Sequence, residues 1–126
     1  MNIPENLKFS EDHECVLLQG NQANVGITDY AQDALGDIVF VSLPKLGESY
    51  PAGSTLGEVE STKSVSDIYA PLGGKIVEVN TNLDSQPELL NSDPYGQGWI
   101  CVIEVESDEL PGQLLDPSAY RSLTEG

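Results

Sequence analysis

One six-residue segment of the chain occurs twice in nearly the same form. Gly36-Asp37-Ile38-Val39-Phe40-Val41 returns as Gly74-Lys75-Ile76-Val77-Glu78-Val79, with Gly, Ile, Val and Val in register. Each copy is followed by a second β-prone segment, Leu56-Gly57-Glu58-Val59-Glu60 after the first and Cys101-Val102-Ile103-Glu104-Val105 after the second. A single short match between strands of ordinary composition arises by chance about as often as not, but a second pair in the same order makes coincidence harder to sustain. The repeat predicts two similar β units packed as two small, pseudo-symmetric sheets.

The rest of the chain agrees with a mainly β fold. Alternating or β-branched runs at Glu14–Gln19, Gln22–Ile27, Ile38–Ser42, Thr55–Ser61, Ser64–Tyr69, Lys75–Val79 and Trp99–Glu106 are bounded by Gly, Pro, Asn or Asp. Gly20-Asn21 between the first two predicts a hairpin. Helices are few and short. Thr28 caps a predicted helix through Leu35, with Asp29 in its first turn and Gly36 as a left-handed stop. Ser85-Gln86-Pro87-Glu88 has capping-box spacing and predicts one helical turn before Leu89-Leu90. Pro111 and Asp116-Pro117 each open a short C-terminal helix, within about residues 108–123.

Length and charge narrow the function. The 126 residues, 39% hydrophobic, suit one domain over 1–126 with its core hairpin unit at about 22–106. Five basic against twenty-one acidic residues give a net charge of −16, which repels nucleic-acid phosphates and anionic lipid and leaves solubility or docking to basic partners. Cys15 and Cys101 lack metal-ligand or CxxC spacing and are expected as buried, reduced thiols; no metal is expected. Met1-Asn2-Ile3-Pro4-Glu5 resembles neither a signal nor a transit segment and no run reaches membrane-spanning length, so a cytoplasmic protein is expected; a monomer is expected as well.

Chemistry is concentrated between the two repeat units. Two β-prone arms, Leu56–Glu60 and Val65–Tyr69, flank Ser61-Thr62-Lys63-Ser64 and predict a tight hairpin with Lys63 at its tip. The other lysines lie near the terminus (Lys8), in a loop (Lys45) or in a strand (Lys75). By pattern alone, an ordinary solvated cation is the default reading of Lys63. The alternative is acylation, which removes the charge and leaves a long flexible arm on an amide.

The segment Glu60-Ser61-Thr62-Lys63-Ser64-Val65-Ser66-Asp67, followed by Ala70-Pro71, closely resembles the lipoyl-lysine hairpin of the glycine cleavage system H protein family. The similarity continues through His13-Glu14, Val25–Gln32, Leu35–Val41, Leu43-Pro44, Pro87-Glu88-Leu89, Asn91, Asp93–Gly96, Gly98-Trp99, Leu114-Leu115-Asp116 and Ala119-Tyr120. The resemblance implies a lipoyl-domain-like flattened barrel, a barrel-sandwich hybrid of two small sheets with short peripheral helices. It implies lipoate bound covalently at Lys63 by a lipoate-attaching enzyme, with Glu60, Ser61, Thr62, Ser64 and Asp67 as hairpin context. It also implies a carrier that is not itself an enzyme. Such a carrier accepts an aminomethyl group from a glycine decarboxylase that uses pyridoxal phosphate and passes it to a tetrahydrofolate-dependent aminomethyltransferase. Dihydrolipoyl dehydrogenase then reoxidises it.

A loaded arm carries an ammonium that a carboxylate shields, and Glu14 and Asp67 are the residues expected to border an arm cleft. Two departures bear on that cleft: Cys15 stands where many relatives have an aromatic residue, and Ala34 offers no polar group. His13, the single histidine, is expected in a structural hydrogen bond, and Trp99 in the core. Two other carriers share the hairpin design. An H-like protein that relays lipoyl groups to other proteins fits the same sequence. A biotin carboxyl carrier fits less well, because Thr62 and Ser64 replace the methionines that usually flank its lysine.

Overall fold

The computed structural model describes residues 2–105 and 114–125. Nine strands form two antiparallel sheets, neither closed into a barrel. The larger has the order β1-β2-β3-β9-β8-β5, made of β1 (Lys8–Phe9), β2 (Glu14–Gln19), β3 (Gln22–Ile27), β9 (Cys101–Val105), β8 (Gly74–Val79) and β5 (Ser49–Tyr50). The smaller has the order β4-β6-β7: β4 (Ile38–Ser42), β6 (Thr55–Ser61) and β7 (Val65–Tyr69). The helices are α1 (Asp29–Leu35), α2 (Leu89–Ser92) and α3 (Pro117–Glu125), with a 3₁₀ turn at Thr81–Asp84.

The predicted symmetry is present at the level of single residues. The first copy of the repeat pairs as β4 with β6 and the second as β8 with β9, so the two units sit in different sheets. Each pair breaks register once, between Ile38 and Phe40 in one and between Ile76 and Glu78 in the other. The two irregularities therefore flank equivalent valines, Val39 and Val77. Such a bulge adds local twist, which curves a sheet over a shared core. Ile38, Val41 and Val59 from the small sheet meet Ile76, Ile103 and Val25 from the large one in a single buried cluster.

Most local readings hold. Thr28 Oγ1 accepts from the Ala31 N–H at 3.1 Å, and Gly36, at φ 82°, donates its N–H to Gln32 O at 3.0 Å, so α1 begins and ends as expected. Gly20, at φ 63°, closes the β2–β3 hairpin. Asp116 caps α3 by accepting the Ala119 N–H at 2.7 Å, and the helix runs to Glu125 rather than 123. The helix expected at Pro111 lies outside the described residues. Cys15 and Cys101 are buried free thiols, and burial pushes both up to about 12.

Two readings need correction. Ser85 does not cap a helix: its Oγ donates to Asn82 O within the 3₁₀ turn, where buried Leu83 anchors the backbone, and α2 starts later without a side-chain cap. Trp99 is neither core nor strand. It is half-buried ahead of β9, while Ile100 takes the core position and donates its N–H to Val25 O at 2.8 Å. Trp99 O instead accepts from Asn80 Nδ2 at 2.7 Å.

Candidate functional site

Lys63 stands exposed at the bend that joins β6 to β7. The bend is built by Ser61, whose side chain is buried. Its Oγ accepts the N–H groups of Lys63 and Ser64 at 3.2 and 3.1 Å and donates to Ser64 O. The backbone closes the same turn through Ser61 N to Ser64 O at 2.8 Å, and Thr62 N–H reaches across to Asp37 O at 3.0 Å. One hydroxyl thus satisfies two amides that a tight bend would leave orphaned. No other Lys or Arg lies between Lys45 and Lys75.

The lysine stem passes over the end of α1. A Cβ added at Gly36 would approach Lys63 Cε to 3.1 Å, so a bare glycine leaves room for the stem as well as supplying the positive φ that ends the helix. At the other end of α1, Thr28 donates its N–H to His13 O at 3.1 Å. The helix therefore spans from the His13–Glu14 end of β2 to the lysine, about 10 Å for its length.

Glu14 is the unusual acid of this region. It is 2% exposed, its Oε1 accepts from Ser10 Oγ at 2.6 Å, and its Oε2 faces the Tyr69 N–H at 3.4 Å. Burial pushes its carboxyl up to about 7, against the pull of those two donors. Glu14 borders a cavity of about 540 Å³ shared with Ser10, Asp12, Gly53, Ala70, Pro71 and Leu114. The cavity lies between the β1–β2 turn and the exit of β7. Asp67 is not among the residues that line it. Asp67 stands exposed on β7 opposite Glu58, with the Tyr69 hydroxyl 3.5 Å from its carboxylate.

Ser10 and Gly36 are the residues that sequence reasoning missed. Ser10 sits four positions before Glu14 across a turn that carries no strand period, and its Oγ also accepts the Glu14 N–H at 3.0 Å. Gly36 is legible as a helix stop but not as the seat of a lysine from another hairpin. His13 behaves as expected, with Nδ1 2.8 Å from the Tyr120 hydroxyl. Its backbone adopts φ 69° immediately before β2, whose first residue is the buried Glu14. Among the described residues no cluster of His, Cys, Asp or Glu has the makings of a metal site.

With this geometry in hand, comparison with known proteins is decisive. The glycine cleavage H-protein family model matches residues 7–126. The chain belongs to the glycine cleavage H-protein family. It is 53% identical to a glycine cleavage system H protein of Mycobacterium tuberculosis, with 98% of each chain covered. It is 49% identical to one of Beutenbergia cavernae, with 100% of this chain and 99% of the relative covered. The crystal structure of a glycine cleavage system H protein from Mycobacterium marinum superposes with a TM-score of 0.90 at 42% identity, covering 98% of this chain and 100% of that one. Membership makes the chain a carrier component of the glycine cleavage system. No helix among the described residues is long and apolar enough to cross a membrane.

Proposed function

We propose that this H-family chain carries lipoate on Lys63 and moves the aminomethyl group of glycine from a pyridoxal-phosphate decarboxylase to a folate-dependent aminomethyltransferase. Dihydrolipoyl dehydrogenase then returns the carrier to its oxidised state. The observation that carries this reading is Lys63 itself: exposed, alone among acids, and set on a bend fixed by buried Ser61. The attached group supplies the disulfide and dithiol chemistry. Lys63 supplies the amide link. Ser61, with Thr62 and Ser64 beside it, holds the bend, and tethering raises the arm's effective concentration at each enzyme.

Glu14, hydrogen-bonded to Ser10, is the residue that receives the cargo's ammonium, and exposed Asp67 on β7 is a second carboxylate offered to the arm. A carboxyl raised to about 7 by burial is partly protonated near neutrality. An arriving cation favours its charged form and exchanges a buried, unpaired charge for an ion pair. Helix α1, about 10 Å long, separates the lysine from the end of β2 that carries Glu14, and a long flexible arm on Lys63 is what would cross that gap. Cytoplasmic residence and a monomeric state complete the reading.

The lipoylated chain, added to the decarboxylase, is expected to support exchange of glycine carboxyl with carbon dioxide, and Lys63→Ala to abolish it. No exchange by a fully lipoylated chain contradicts the glycine assignment and favours a lipoate relay. Glu14→Gln, with Asp67→Asn as a second variant, is expected to speed hydrolysis of the loaded arm.

A further inference from the structure

The small sheet turns an apolar row outward beside Lys63. Val39, Phe40 and Val65 are 50%, 56% and 56% exposed, three of six large apolar side chains left in solvent among the described residues. Register brings two of them to one neighbour: Phe40 faces Glu60 across β4–β6, and Glu60 faces Val65 across β6–β7. The next row, Ser42, Glu58 and Asp67, is polar and acidic. Among the described residues the one ion pair, Arg121 with Glu125, lies on α3, so Glu58, Glu60 and Asp67 have no cation bound to them there. An aromatic and two β-branched side chains in a patch rimmed by unpaired charge have the anatomy of an interface core and rim.

We propose that Phe40, Val65 and Val39 form the seat on which the enzyme that acylates Lys63 docks, its active-site mouth offering an apolar surface ringed by Lys or Arg. The proposal rests on the lipoyl reading above. Reach selects this occupant over the enzymes visited later. The bare lysine amine stands only a side chain's length from the backbone, so the attaching enzyme must close onto the strands that flank it. Enzymes that meet the finished arm are under no such requirement, because the added length lets them reach it from farther off.

Charge complements the same occupant. In the transfer, unprotonated Lys63 Nζ attacks the carbonyl carbon of a lipoyl adenylate and the C–N bond forms. The C–O bond to phosphate breaks, the nucleoside monophosphate leaves with the electron pair, and the amine proton passes to solvent. An active site that holds this anionic phosphate presents basic groups, which complement Glu58, Glu60 and Asp67.

Binding to the attaching enzyme is measured by calorimetry on the full-length chain with Lys63→Arg, which takes no acyl group. Adding Phe40→Thr and Val65→Thr, both good strand formers, is expected to raise Kd about tenfold or more. Leu46→Thr, at a site 63% exposed in the β4–β5 loop, is expected to leave Kd unchanged. With Lys63 restored, mass-detected acylation of the double variant is expected to show a raised KM at constant kcat. An unchanged Kd overturns the proposal. So does a larger loss of affinity for the decarboxylase by the lipoylated double variant, which assigns the seat to that partner. A wild-type chain that gains no lipoyl mass contradicts the carrier reading itself, a result distinct from mass gain at unchanged Kd.

Discussion

In the first copy of the repeat, β4 and β6 belong to a sheet of three strands in which β4 is an edge. In the second, β8 and β9 are interior strands of a sheet of six. Their backbones match to the equivalent bulge, and their inner faces share one core through Ile38, Val41 and Ile76. The outer faces differ. Phe40 is exposed where its counterpart is Glu78, and Val39 is exposed where Val77 is half-buried. The same strand pair thus anchors the fold when enclosed and presents the lysine hairpin when left at an edge. Glu14 joins the two sheets, reaching from β2 of the large one to the Tyr69 N–H of β7 in the small one.

The largest test removes the anchor. Ile103 is fully buried, paired with Ala23 on one side and Ile76 on the other. Ile103→Ala is expected to cost about 2–5 kcal/mol in urea denaturation, and Val59→Ala in the small sheet about 1–3 kcal/mol. Both variants should unfold in one transition by every probe, because the sheets share a core. Separate transitions would break the equivalence of the two copies.

A second test titrates the link between them. The folded-state pKa of Glu14, about 7, lies above the ordinary 4.5, so the folded chain binds the extra proton between those values. Its contribution is therefore full below about pH 4.5 and is lost as pH rises to about 7, a change on the order of 3 kcal/mol at most. Glu14→Gln should flatten that part of the stability profile. A profile that keeps its slope in the variant assigns the titration to another group.

The smallest effect belongs to the bend. Ser61→Ala leaves the N–H groups of Lys63 and Ser64 without their acceptor, at a cost of about 1 kcal/mol. Faster hydrogen exchange is expected at those two amides, with the β8–β9 amides unchanged. Equal acceleration in both copies would show that Ser61 supports the whole fold rather than the presenting hairpin.

The repeat, the β2–β3 hairpin and α1 were legible because each rests on a local pattern: periodicity, a turn pair, or Thr28 with Gly36. Lys63 at a bend was legible for the same reason. Its modification was not, since no property of an isolated lysine marks it for acylation, and only the family resemblance supplied that expectation. The strands Lys8–Phe9 and Ser49–Tyr50 are too short to show a period. Glu14 was picked out as a cleft acid, but its burial and its partners, the Ser10 hydroxyl and the Tyr69 N–H, are not readable from spacing. Trp99 misled because aromatic bulk ordinarily signals core, whereas Ile100 fills the site and Trp99 lines a small cavity beside Cys15.

The central claim is that the edge copy exists to present one modified lysine. Intact mass of the chain purified from its native cell, beside the same chain carrying Lys63→Ala, tests it most directly. The account predicts a mass gain of a single lipoyl group on the wild-type chain and none on the variant. An unmodified wild-type chain, or a lipoyl group retained when Lys63 is gone, would contradict it.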